Sequence, residues 1–109
     1  MGALFDVATL EWQPVRPGIT AGVLGKALLD GALKVVLTRV EPGGRFRPHV
    51  DSYGHLFYFL SGEGALWVGG ERAEARPGLV ARIDAGVEHA YENTGEEDLV
   101  LVSLNLPNP

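Results

Sequence analysis

The chain has 109 residues and a net charge of −5, so it is expected to fold as one domain, 1–109, around a single buried core. It contains no cysteine, which excludes disulfides, thiolate metal sites, iron–sulfur clusters and cysteine nucleophiles, and leaves nitrogen and oxygen as metal donors. The acidic balance argues against nucleic acid as a partner; no apolar run reaches the ~20 residues of a bilayer span and the amino terminus is not leader-like, so no membrane contact and a soluble, cytoplasmic protein are expected.

Glycines and prolines divide the chain into short pieces at intervals that fit an all-β domain, and helical periodicity is nowhere sustained. Glu11 to Val15 is expected to be the first strand, closed by the turn residues Arg16-Pro17-Gly18. Gly22 to Leu29 mixes helix formers with two glycines; its short length and the following Asp30-Gly31 favour a strand entering a hairpin. Leu33 to Val40 is β-branched and almost continuously apolar, as a core strand would be, and Glu41-Pro42-Gly43-Gly44 reads as a turn after it. Next come an aromatic strand, His55 to Leu60, and Ser61-Gly62-Glu63-Gly64 as the tight turn of a hairpin into Ala65 to Val68. Gly69-Gly70 turns the chain into Glu71 to Ala75, where charged and small residues alternate as on a solvated face. Leu79 to Ile83, His89 to Glu92 and Leu99 to Leu106 supply the last strands, and Leu106 to Pro109 reads as a tail or an edge contact. About ten short strands without a helix predict a closed or double-sheet barrel.

His49, Asp51 and His55 fall within one seven-residue stretch, the densest concentration of metal-ligand chemistry in the chain, and His89 is the remaining histidine. The surrounding pattern resembles the cupin superfamily of small jelly-roll barrels, whose two motifs read G-x5-H-x-H-x3,4-E-x6-G and G-x5-P-x-G-x2-H-x3-N. In the first, Gly43, His49 and Gly62 match, Asp51 stands at the second histidine and His55 at the glutamate. In the second, Gly78, Gly86, His89 and Asn93 match, and Asp84 replaces the proline. The resemblance runs from Leu33 to Leu104 and implies an all-β jelly roll, or double-stranded β-helix, with a metal at His49, Asp51, His55 and His89.

Strand geometry accords with that implication. Residues i and i+2 project to one face with Cα atoms ~6.5–7 Å apart, so His49 and Asp51 can converge on one ion. Three imidazoles and one carboxylate suit iron, manganese, nickel, copper or zinc rather than calcium or magnesium. Because aspartate is shorter than histidine, Asp51 either reaches the ion or accepts the outer N–H of His55 or His89.

Arg47 shares strand parity with His49 and Asp51, so a regular strand turns it inward, toward the carboxylate of a small ligand; Tyr91 shares parity with His89 and is the second candidate for ligand binding. Asn93 reads as a turn residue, and Phe57, Phe59 and Trp67 as core or pocket wall. Two function classes follow from the resemblance: a metal-dependent enzyme such as a dioxygenase, isomerase or lyase, or a non-catalytic binding or sensor module. The resemblance also implies a homodimer, with residues 1–15 exchanged between subunits; Leu4, Phe5, Val7, Leu10 and Trp12 would otherwise form an adhesive patch.

Overall fold

The computed structural model describes residues 2–107; Met1 and the last two residues of the expected tail, Asn108 and Pro109, lie outside them. The strands are β1 (Gln13–Pro14), β2 (Thr20–Asp30), β3 (Lys34–His49), β4 (His55–Ser61), β5 (Gly64–Val68), β6 (Glu71–Ala75), β7 (Val80–Ile83), β8 (His89–Asn93) and β9 (Leu99–Asn105), with a 3-10 turn at Val7–Thr9. The fold is the expected all-β jelly roll, and its pivot is β3.

The first half of β3 pairs with β9, from Lys34↔Asn105 to Val40↔Leu99, and its second half pairs with β8, from Arg45↔Glu92 to His49↔His89. The strands form one continuous nine-stranded sheet, and the bend in β3 folds it into two faces, β6-β5-β8-β3 and β3-β9-β4-β7, that serve as the two sheets of the roll, while β2 runs along the other edge of β3 and β1 along β2. The expected turn at Glu41-Pro42-Gly43-Gly44 is the bend itself. Pairing with β2 resumes on both sides, Val23↔Val40 and Ala21↔Arg45, so the chain is held from reversing and instead bulges opposite Gly22. Gly22 and Gly43 have φ of 65° and 78°, and a Cβ on Gly44 would lie 2.8 Å from the Glu41 carbonyl oxygen and 2.9 Å from that of Gly22.

Two further expectations are corrected. The Ser61–Gly64 segment does not close a hairpin: β4 pairs with β7 and β9, and β5 with β6 and β8, so the segment crosses between sheets. Turn residues specify that the chain changes direction, not which edge the next strand joins. The first strand contracts from Glu11–Val15 to Gln13–Pro14, on the outer edge of β2, where a proline's missing N–H is tolerated. By contrast Gly69-Gly70, with φ of 57° and 88°, forms the expected two-residue hairpin loop between Val68 and Glu71.

Phe59, Leu66, Ile83, Leu99, Leu101 and Val40 are fully buried between the sheets, each contributing about 1.5–3 kcal/mol of apolar burial. The N-terminal segment lies across this body. The Trp12 ring stands between Lys26 Nζ at 4.7 Å and the Arg39 guanidinium at 4.5 Å, and Lys26 Nζ donates to the Val7 carbonyl at 3.0 Å. This anchoring carries Val15 and Arg16 to the mouth of the barrel. Among the described residues no helix is long and apolar enough to cross a membrane.

Candidate metal centre

His49 ends β3 and His89 begins β8 directly opposite it, so the two imidazoles are a cross-strand pair with ring centroids 4.2 Å apart. His55 begins β4 in the facing sheet, its ring 4.7 Å from that of His89. Asp51 lies in the connection between β3 and β4 rather than on the strand of His49; its carbonyl accepts from the Gly86 N–H at 2.9 Å, which ties this connection to the one before β8.

Asp51 Oδ2 is the focus of the group. It is 2.8 Å from His55 Nε2, 3.2 Å from His49 Nε2 and 3.7 Å from His89 Nε2. Donors about 2.0–2.2 Å from a shared ion stand about 3.0–3.5 Å from one another; the His49–Asp51 spacing is of that size, His89 stands slightly beyond it and His55 slightly inside it, at hydrogen-bond distance. The compact set is His49, Asp51 and His89, whose donor atoms all lie within 4.8 Å of one another, with His55 hydrogen-bonded to Asp51 beside it.

Hydrogen bonding orients the imidazole nitrogens. His49 Nδ1–H donates to the Arg47 carbonyl at 2.7 Å, and His89 Nδ1–H to that of Val87 at 2.9 Å. A carbonyl only accepts, so each neutral ring leaves its lone pair on Nε2. Both Nε2 atoms are buried and lack a hydrogen-bond partner, a costly state for polar atoms that share no ion. Phe46 stacks on His49 at 4.4 Å and 19°, which fixes the plane of the ring.

Burial holds His89 below the usual imidazole range, the neighbouring His49 and His55 adding to the effect against the Val87 hydrogen bond. Burial on its own would raise the Asp51 carboxyl, but the hydrogen bonds from His55 and Arg16 and the charge of Arg16 outweigh it and hold it below the usual value. Tyr53 and Tyr91 are pushed up by burial, Tyr53 also by the Asp51 charge.

The histidines open into a cavity of about 320 Å³ walled by Phe46, Phe57 and Tyr91. Tyr91 thus joins His89 at the cavity as its parity predicts. Arg47 does not: the register shifts between Phe46↔Tyr91 and His49↔His89, which breaks the alternation and leaves Arg47 exposed beside a separate concavity with Trp67. Its backbone carbonyl, not its guanidinium, serves the site. Asn93 is buried and structural, its Nδ2 donating to the Val40 and Glu97 carbonyls at 2.9 and 2.7 Å. Sequence reasoning missed Arg16, whose Nη1 donates to Asp51 Oδ1 at 2.9 Å; no local pattern links it to a carboxylate 35 residues away.

No curated protein matches the chain. Among solved structures it is similar to a protein described as a predicted oxalate decarboxylase from Thermotoga maritima, at 21% identity and a TM-score of 0.88 over 97% of this chain and 100% of that one. It is similar to KdgF from a Halomonas species at 20% identity and a TM-score of 0.83, over 99% of this chain and 96% of that one. The polyketide cyclase RemF from Streptomyces resistomycificus aligns at 21% identity and a TM-score of 0.86, over 96% of this chain and 79% of that one. At these identities the likeness is one of fold. The family model described as Cupin domain matches residues 36–105, which run from the first half of β3 to the end of β9 and take in all three histidines and Asp51, and on that match the chain belongs to the cupin family.

Proposed function

We propose that His49, Asp51 and His89, with His55 as fourth donor, hold one divalent first-row transition metal, and that the protein is a metal-dependent enzyme acting on a small oxygen-bearing metabolite in the cavity. The observation that carries this reading is the pair of buried Nε2 lone pairs, aimed by the Arg47 and Val87 carbonyls and converging with Asp51 Oδ2. Nitrogen and oxygen donors in this number favour iron, manganese, nickel, copper or zinc. Such an ion supplies Lewis acidity toward a substrate oxygen. The chain's own part is to aim the donors and shield them: Phe46, Phe57 and Tyr91 wall the cavity, and Tyr53 lines it beside His55, its ring centroid 5.0 Å away.

Elemental analysis after reconstitution with Fe²⁺, Mn²⁺, Ni²⁺, Cu²⁺ and Zn²⁺ tests the reading. Stoichiometric metal in the wild type and its loss in His49→Ala, His89→Ala and Asp51→Ala are expected. Should the wild type take up none of these ions, the reading fails. Metal retained in His55→Ala would make that residue a hydrogen-bond partner of Asp51 rather than a ligand. Binding of a metabolite without turnover would favour a binding module over an enzyme.

A homodimer belongs to the same proposal. The outer face of the β3-β9-β4-β7 sheet is apolar where an antiparallel sheet facing water is usually polar. Cross-strand pairs Leu37↔Val102, Leu56↔Leu104, Tyr58↔Val102 and Tyr58↔Val80 lie on that face, with Tyr58 and Val80 about half exposed.

A further inference from the structure

The N-terminal segment delivers a cation to the cavity that the metal site does not require. Arg16 lines the cavity, and its guanidinium spends one N–H on Asp51 Oδ1 at 2.9 Å and, among the described residues, makes no other hydrogen bond. It packs over the Phe46 ring at 5.7 Å and is 44% exposed, so the rest of its planar fork is open to an incoming group. The backbone is committed to this placement. Arg16 has a φ of 42°, the only positive value at a non-glycine among the described residues, and the turn is closed by the Ile19 N–H on the Arg16 carbonyl at 3.0 Å. Strain of this kind persists where the surroundings over-determine it, and it clusters at ligand clamps.

The cavity wall has the complementary charge. The chain has 14 acidic against 9 basic residues, yet among the described residues no aspartate or glutamate other than Asp51, at the histidine end, stands at the cavity, whereas Arg16 and Lys34 line it. The pairs Lys34↔Asn105 and His55↔Asn105 set Lys34, Asn105 and His55 in one cross-strand row, all lining the cavity. The single acid at the centre, Asp51, is engaged by Arg16 and the histidines.

We propose that Arg16 is the anion-recognition residue of this cavity and that its ligand is a small carboxylate, held through the guanidinium edge that Asp51 leaves open. The proposal rests on the metal-site reading, which gives the cavity its role. A planar fork suits a carboxylate, and Phe46, Phe57 and Tyr91 suit an apolar or ring-bearing body attached to it.

The test is calorimetric titration of the metal-reconstituted protein with benzoate, and with benzamide as its uncharged isostere, with metal content measured on each sample. Wild type is expected to prefer benzoate. Arg16→Gln and Arg16→Gly, the second of which also removes the strain of the positive φ, are expected to weaken benzoate roughly 10- to 100-fold with metal content unchanged, and Arg16→Lys to restore part of the loss. Equal benzoate affinity in wild type and Arg16→Gly overturns the assignment. So does a preference for benzamide, or no benzoate binding to wild type at millimolar concentration. Arg16-dependent benzoate binding by protein that has taken up no metal would support the assignment while overturning the metal reading.

Discussion

Asp51 and His89 make the site sensitive to acid in a direction that can be worked out. The folded chain holds His89 below the usual imidazole range, so as pH falls the unfolded chain binds that proton first. Stability is therefore present above about pH 6.5 and declines below it. Asp51, also held low, acts in the same sense, its contribution being lost further down, as pH falls below the ordinary aspartate range. The metal-free protein is expected to have a lower urea midpoint at about pH 5.5 than at about pH 7.5, and metal to bind more weakly at the lower pH because protons compete for Nε2. A midpoint that is flat or rises on acidification would remove the physical basis for a buried, neutral His89. The residue types of the site were legible from the spacing of His49, Asp51, His55 and His89. Arg16 was not, because its partnership with Asp51 is made by the fold of the N-terminal segment and leaves no trace in the neighbours of either residue.

At the scale of elements, the bend in β3 decides where the histidines stand, since it swings the second half of the strand onto β8 and sets His49 opposite His89. Its two adjacent glycines do different jobs. Gly44 needs to lack a side chain: a Cβ would meet the Glu41 and Gly22 carbonyls at 2.8 and 2.9 Å. Gly43 needs only its φ of 78°, with nothing within 4 Å of an added Cβ. Gly44→Ala is expected to destabilise the fold by about 2 kcal/mol or more, while Gly43→Asn, a residue that tolerates positive φ, costs well under that. Denaturation midpoints of the two variants check the ranking, and equal losses would mean that conformation, not contact, dominates at the bend. Strand positions and turn chemistry were readable along the chain because alternation and glycine placement are local. The bend, the crossover at Ser61–Gly64 and the reversed side of Arg47 were not, because each depends on which edge pairs with which.

At the scale of the whole molecule, the apolar outer face of β3-β9-β4-β7 and the exposed Leu4 and Phe5 are the features that a lone barrel in water does not account for. A second copy is the occupant proposed for that face. Light scattering is expected to give the mass of a dimer, and Val102→Glu, a charge placed beside Leu37 and Tyr58, to shift it to the monomer without loss of metal. A monomeric wild type at working concentration would sink the proposal, and a dimer indifferent to Val102→Glu would move the interface elsewhere.

The class of the fold and the donor chemistry were readable from residue order alone: strand period, turn glycines and the absence of cysteine are properties of short stretches, and so is a run that packs two histidines around an aspartate. What those residues face is a property of the assembled fold. Backbone preference is set by near neighbours, but convergence is set by strand pairing and core packing over the whole chain. That is why His49 and His89 meet as a pair, why Asp51 sits in a connection at their focus, and why the arginine that reaches it is Arg16 rather than Arg47.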